Sequence, residues 1–342
     1  MKPTIKDVAK LAGVSVQTVS NVINNNTERF SAETRARVLD AIAKLNYQPN
    51  RAAQYMRSGV IGILALAIPD IGNPYFAEIA REIIDAAKER GYTVLIEHTA
   101  GQAENEHLLL GGSRAQLVDG VILDPVAITE DEIRRANVST PIVMLGERVT
   151  GQYYDHVMID NVAAARLLTE HLLELGHRRI AILPVAEDSR NSLHRMRYQG
   201  YLEALQAAGI RPDPDLIVST LWPVLLTHHS GMTAMQELLA RGELPDAVFC
   251  LNDLAALGAI KTLSQHGYRV PEDIAVVGFD DIPESYLTSP ELTTISPDKR
   301  SIGRLVVSLL IDRIKGIRTG PPEQFNPEFK LVVRESTVGR QA

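Results

Sequence analysis

At 342 residues the chain is too long for one ordinary core and fits a small domain plus a larger, two-lobed one. Hydrophobic residues make up 45% and charged residues 23%, with no low-complexity run, which excludes long disordered tails. The single cysteine, Cys250, excludes an internal disulfide and any Cys-rich metal site, and its neighbours Val248, Phe249 and Leu251 place it in a core. The first residues lack the apolar segment of a signal peptide and no apolar stretch reaches membrane-spanning length, so a cytoplasmic protein is expected.

The formal charge of −7 is the sum of two unlike parts. Up to Ser58, nine Lys/Arg stand against four Asp/Glu, about +5; the remainder holds 26 against 38, about −12. Only the front end is suited to phosphates, and an acidic body discourages nonspecific attachment to nucleic acid.

Residues 5–23 read IKDVAKLAGVSVQTVSNVI, and Ile5, Val8, Ala9 and Ala12 mark one face of a short helix. Gly13 allows the tight turn that stops it, and Ser15 is a good N-cap for a second helix turning Val19, Val22 and Ile23 inward. Two short helices across a glycine turn make a helix-turn-helix. A third helix, capped by Ser31 and carrying Val38, Ile42 and Leu45 inward, closes an all-α headpiece. Ser15, Val16, Gln17, Ser20 and Asn21 are expected to point outward. Val16, Gln17 and Asn21 are the candidate base contacts: a Gln side chain pairs bidentately with adenine, and a Val touches a thymine methyl. Thr4, Ser15, Thr18, Ser20 and Asn24 are the candidate DNA-backbone contacts.

From Val60 apolar runs alternate with helical segments: IGILALAI, FAEIAREIIDAAKERG, YTVLIEH, DGVIL and PIVML. A second set follows with IAILPV, RMRYQGYLEALQAAG, LIVST, DAVFCLN and IAVVGFD. This βαβ rhythm implies two parallel-sheet lobes, with ligands expected where strand C-termini face a crevice. Polar residues just past those ends are Asp70, Asn73, Asp124, Arg148, Asn252, Asp253, Asp280 and Asp281, while Tyr75, Phe76 and Trp222 supply flat apolar faces. Aromatic faces beside carboxylate, amide and guanidinium groups suit a sugar. Asp160-Asn161, ahead of AAARLLTEHLLELGH, reads as a helix cap, as does Asp253 before LAALGAIKTL. Arg148 either brings a cation to the cleft or makes a surface ion pair. His228-His229 reads as a helix-start surface, because adjacent histidines point apart.

IKDVAKLAGVSVQTVSNVIN followed by SAETRARVLDAIAKLNYQPNRAAQYMRSG closely resembles the lac-repressor/GalR family of bacterial regulators, and the similarity continues to about Ser336. The resemblance implies a helix-turn-helix headpiece (1–47), a hinge (48–59) and a periplasmic-binding-protein-like α/β effector domain with parallel sheets (60–342). Its lobes are expected at about 60–160 plus 292–325, and 161–291 plus 326–342. Hinge residues Asn50, Arg51, Ala53 and Met56 would form a helix only on DNA, Met56 acting as the minor-groove wedge where most members carry leucine. By the same resemblance Arg197, Asn252 and Asp280 contact effector, and Phe76 and Trp222 line the cleft.

Departures narrow the ligand. Purine-sensing members carry Arg and Thr where this chain has Asn191 and Leu193, and the lactose-type member has Asp in place of Gly146. Neither a purine nor that form of galactoside recognition is expected. The chain ends in a Pro-rich connection, a strand KLVVRES and a short tail, without the tetramer-forming helix of the lactose-type member. A homodimer on palindromic operator DNA is therefore expected, with repression the logic the resemblance favours. No G-x-S-x-G, Walker A or G-x-G-x-x-G is present, so neither an enzyme nor a bound cofactor is expected. A transport binding protein would share the sensor fold, but the headpiece and the missing signal segment argue against it.

Overall fold

Gly13 adopts φ +64° and its N–H reaches back to the Ala9 carbonyl, which ends helix α1 (Ile5–Ala12) in the left-handed turn that the sequence requires. The structure, a computed structural model, describes residues 3–23, 29–47, 60–111, 114–136, 138–147, 153–186, 192–220, 226–242 and 244–339. The chain divides into two compact units, residues 1–61 and 62–342.

In the first unit α1 is followed by α2 (Val16–Ile23) and α3 (Ala32–Leu45). Val8, Ala9 and Ala12 of α1, Val19 and Val22 of α2, and Val38 and Ala41 of α3 form its core, with Ile5, Ile23, Ile42 and Leu45 packed at the edge. Each helix start is satisfied locally. Asp7 accepts from both the backbone and hydroxyl of Thr4 at 2.8 and 2.7 Å, and Ser31 Oγ accepts from Thr34 N–H at 3.2 Å.

The second unit contains β1 (Ile63–Ile68), α4 (Pro74–Glu89), β2 (Thr93–His98), α5 (Ala103–His107), β3 (Gly120–Leu123), α6 (Glu130–Arg135), β4 (Ile142–Leu145) and β5 (Asp155–Val157). It continues with α7 (Asn161–Glu174), β6 (Ile180–Ala186), α8 (Ser192–Ala207), β7 (Ile217–Thr220), α9 (His228–Ala240), β8 (Ala247–Cys250), α10 (Asp253–Gln265) and β9 (Ala275–Phe279). The last elements are β10 (Thr293–Pro297), α11 (Lys299–Ile314), β11 (Gln324–Phe325), β12 (Phe329–Val332) and α12 (Glu335–Val338).

Two six-stranded sheets result, ordered β2-β1-β3-β4-β5-β11 and β7-β6-β8-β9-β10-β12. Their pairings are parallel except β10 with β12. Central strands are buried on both faces, which is why β1, β3 and β8 read as unbroken apolar runs. In the first lobe Ala65, Val121 and Ile142 belong to a core closed by Leu109, Ile128 and Ile133, and α11 packs against α4. In the second, α9 and α10 cover Leu183, Val248 and Cys250. Tyr201 of α8 is buried with its hydroxyl donating to the Ile180 carbonyl at 2.8 Å. Burial raises the Cys250 thiol pKa well above its ordinary value, so it behaves as a core group.

Two expected boundaries move. The sequence reading starts the return to the first lobe at residue 292, but Thr293–Pro297 completes the second sheet between β9 and β12, and the crossing comes just before α11. The expected last strand 330–336 stops at Val332. Ser336 turns inward instead, donating to the Val276 carbonyl at 2.6 Å and accepting from Thr293 N–H at 2.8 Å, which holds α12 as a short helix. The chain thus crosses between lobes after β5, after β10 and between β11 and β12.

Helices α9 and α10 touch backbone to backbone: a Cβ at Gly231 would stand 2.0 Å from the Ala255 carbonyl, and one at Gly258 would stand 2.1 Å from that of His228. Gly231→Ala is therefore expected to lower unfolding stability by about 1–3 kcal/mol or more. Gly320→Ala, placed in open space, should be nearly neutral. Urea denaturation of both variants checks this, and equal midpoints would refute the close-packing account.

Candidate functional site

In the headpiece, Ser15 caps α2 by accepting from Thr18 N–H at 3.0 Å, and its hydroxyl lies 2.9 Å from that of Thr18. Val16 and Gln17 stand exposed on the first turn, while Thr18 and Ser20 are half-buried. Asn21 is 8% exposed and its side-chain oxygen accepts from Gln17 Nε2 at 3.3 Å, so the two form an i,i+4 pair of which Gln17 is the exposed member. Thr4, another expected DNA contact, is exposed with its hydroxyl committed to Asp7, and these bonds hold the Asp7 carboxyl below its usual range. Asn24, Asn50, Arg51, Ala53 and Met56 lie outside the described residues, as do Arg148, Asn191 and Trp222.

In the larger unit strand order reverses beside β1 and β6. Tyr75, Asp124, Arg197 and Asp280 line one cavity, joined by Gly146, Glu147 and Phe279. Enclosed space there is about 20 Å³, room for a water molecule. Ligand pockets measure roughly 300–1,000 Å³, so the cavity must widen to take a sugar-sized molecule.

Arg197, 4% exposed, organises the second-lobe wall. Its guanidinium lies 3.4 Å from the Phe279 ring centroid, Nε donates to Asn161 Oδ1 at 2.8 Å, Nη1 donates to the Leu251 carbonyl, and Nη2 stands 3.5 Å from Asp280 Oδ1. Asp280 and Asp281 take φ of 114° and 51°, left-handed values costly for side chains with a Cβ. Arg334 pairs with Asp281 Oδ1 at 2.6 Å, and Lys299 donates to the Asp281 carbonyl at 2.7 Å and to Glu78 at 2.5 Å, which fixes the loop.

Asp124 and Glu147 stand on the first-lobe wall. Gly146 adopts φ +74°, and a Cβ there would meet Asp124 Oδ1 at 2.6 Å; the glycine is what gives the carboxylate its place. Glu106, fully buried, accepts backbone N–H groups of Val126, Ala127 and Ile128 at 2.8–3.3 Å and so pins the loop behind Asp124. Burial, then the charges of Glu147 and Glu106, raises the Asp124 carboxyl well above its ordinary value.

Other expected positions lie outside the cavity lining. Asn252 caps α10: Oδ1 accepts from Ala255 N–H at 2.8 Å and Nδ2 donates to the Leu226 carbonyl at 3.2 Å. Phe76 leaves the cavity lining to Tyr75, against which its ring packs edge-on at 5.3 Å. Asn73 caps α4, and Asp253 is a buried structural acceptor for Thr294, Ser285 and Ile282 N–H at 2.6–2.9 Å. His228 and His229 begin α9, exposed. Residues missed by sequence reasoning are Glu147, Asn161 and Phe279. Asp160 is indeed a cap, accepting from Ala163 N–H at 2.9 Å, but fully buried Asn161 turns into the cavity network. Only the Asp-Asn doublet, more than one cap needs, signalled it.

Burial pushes the Asp280 carboxyl up to about 7, with Arg197 and Lys299 opposing the rise and Asp253 and Glu147 adding to it. The folded chain then holds this proton more tightly than the unfolded chain does. The resulting stabilisation is full below the ordinary value of 3.8 and is lost as pH rises to about 7. Asp280→Asn is expected to cancel this dependence. The stability difference between parent and variant should fall across that interval by up to about 1.4 kcal/mol per pH unit, read by urea denaturation at several pH values; a constant difference would remove Asp280 as the titrating group.

The comparisons with known proteins follow the same division. Residues 4–50 match the family model described as bacterial regulatory proteins, lacI family, and residues 169–337 match a periplasmic binding protein-like domain. The HTH-type transcriptional repressor PurR of Pasteurella multocida is 34% identical over 340 residues, 98% of this chain and 99% of that protein. A solved complex of the transcriptional regulator CelR with cellobiose aligns at TM-score 0.71 and 35% identity, covering 98% of this chain and 99% of that one. The lac repressor dimer bound to operator and the anti-inducer ONPF aligns at TM-score 0.80 and 30% identity, with the same shares. The chain belongs to the lacI family of bacterial regulatory proteins: it is a DNA-binding transcriptional regulator under small-molecule control, not an enzyme.

Proposed function

We propose that the chain is a cytoplasmic repressor that binds a palindromic operator as a homodimer and responds to a neutral, sugar-like effector in the interlobe cleft. The carrying observation is the first turn of α2, where Val16 and Gln17 stand exposed beside the Ser15 cap in a headpiece with nine Lys/Arg against four Asp/Glu up to Ser58. A helix so presented suits the major groove, Gln17 reading adenine and Val16 a thymine methyl, with Ser15, Thr18 and Ser20 near phosphates. Asn50, Arg51, Ala53 and Met56 are assigned to the minor groove on resemblance alone. Among the described residues no helix is long and apolar enough to cross a membrane, in keeping with a cytoplasmic site of action.

A second copy is supported by β2, an edge strand whose Leu95 and Ile96 are 47% and 40% exposed, beside α4 with its exposed Ile84. Apolar side chains on an open edge favour coverage by another chain. For the effector, Tyr75 offers a ring face, Asp124, Glu147 and Asp280 accept from hydroxyls, and Arg197, backed by Phe279, donates. CelR, whose complex holds cellobiose, supports a sugar; Leu193, in place of the threonine of purine-sensing members, weighs against a purine. At Gly146, where the lactose-type member has aspartate, the carboxylate comes instead from Asp124. Effector binding would change the lobe angle and hence the reach of the two headpieces.

Selection of duplexes from a random library, run with and without a panel of neutral sugars, tests the reading. A palindrome whose binding weakens steeply with salt is expected, with affinity altered by one sugar. A folded dimer that enriches no sequence under either condition overturns it. On the selected operator Gln17→Ala should cost about 1–3 kcal/mol and relax one base position; equal weakening on all sequences would remove Gln17 as a reader.

A further inference from the structure

A cavity that must open to admit its ligand needs a means of linking ligand contact to lobe movement, and Asn161 occupies the place where that link is made. It is the first residue of α7, just past the first crossover, with no solvent exposure. Its Nδ2 donates to Glu147 Oε1 at 2.8 Å, on the first lobe, and to the Ile159 carbonyl at 3.2 Å, on the crossover itself. Its Oδ1 accepts from Arg197 Nε at 2.8 Å, on the second lobe. Only one amide orientation works, since the flipped one would set NH₂ against a guanidinium N–H and oxygen against a carboxylate. A buried amide with every polar group committed in one orientation is stiff, so Arg197 cannot turn without disturbing Glu147.

We propose that Asn161 is a positioning residue of the effector cleft, holding Arg197 of the second lobe and Glu147 of the first in register across the crossover. Ligand engagement of Arg197 and the angle between the lobes thereby become one event. This rests on the reading of the cleft as the effector site. The second inter-lobe tie, Lys299 to the Asp281 carbonyl, joins the same Asp280–Asp281 loop from the opposite crossover. The two ties bracket Asp280.

The test reads the lobe angle directly, in the full chain and without a ligand. Spin labels at Gln116→Cys and Gln236→Cys, exposed sites on the first and second lobes, report the inter-lobe distance by double electron–electron resonance. Cys250 is buried away from the reagent, and dilution into unlabelled chain isolates the distance within one subunit. Asn161→Asp keeps an acceptor for Arg197 but sets a carboxylate against Glu147, and is expected to shift or broaden the distance distribution. Adding Glu147→Gln reverses the cross-lobe hydrogen bond, Gln donating to the new carboxylate, and is expected to return the distribution toward the parental one, with only the bond to the Ile159 carbonyl still lost. Glu147→Ala, at a half-buried site that spares the Asn161–Arg197 bond, should broaden it too. A parental distribution in Asn161→Asp or in Glu147→Ala, or a shift that Glu147→Gln does not reduce, overturns the proposal. The effector reading fails on a separate observation, the absence of any sugar that alters operator binding.

Discussion

Burying a guanidinium is costly unless its charge, its face and its donors find partners, and the second-lobe wall of the cleft is organised around that demand at Arg197. The side chain carries five N–H donors and a flat charged face into a site 4% exposed. Phe279 covers the face, Asn161 and Leu251 take two donors, and the Asp280 carboxyl stands 3.5 Å from Nη2. These partners sit at the ends of β9 and β8 and the start of α7, so satisfying one cation requires the strand ends of the second sheet and the first crossover to converge. The left-handed backbone at Asp280 is the local cost of pointing its carboxylate there.

The same logic of buried charge with matched partners holds the first lobe together at a distance from the cleft. Asp155, fully buried on β5, accepts from Arg313 at 2.7 and 3.0 Å, from Arg318 at 3.1 Å and from Glu323 N–H at 3.0 Å. Arg313 also binds the carbonyls of Arg318, Gly320 and Pro321. This clip fastens the segment returning from α11 to β11 and completes the first sheet with residues from the end of the chain. A lobe built from distant segments leaves the chain to cross the cleft more than once, and multiple crossings limit motion to a hinge rather than free tumbling.

The headpiece obeys a different economy. Its core is a handful of small and branched side chains, so the helix ends matter more than in the larger unit: Thr4 with Asp7, Ser15 with Thr18 and Ser31 with Thr34 satisfy the amides that a short helix leaves open. The hydroxyls that cap are also those with the chemistry to bind phosphate, and one residue type serves both purposes at a helix start.

The sequence by itself determined the elements whose causes are local. Apolar periodicity marked α1 to α3, the glycine at 13 marked the turn, and unbroken apolar runs marked the central strands of both sheets; each depends on neighbours a few residues away. The positions of Tyr75, Asp124, Arg197 and Asp280 at strand ends or on a named family segment were legible for the same reason. Only the tertiary structure decided that Asn252 spends its amide as a cap and that Asn161 joins the two walls. It alone placed Glu106 behind Asp124 and gave β10 to the second lobe. Those outcomes depend on which groups from remote segments arrive within hydrogen-bonding distance, and a side chain's identity does not say which of its available partners will be near enough to claim it.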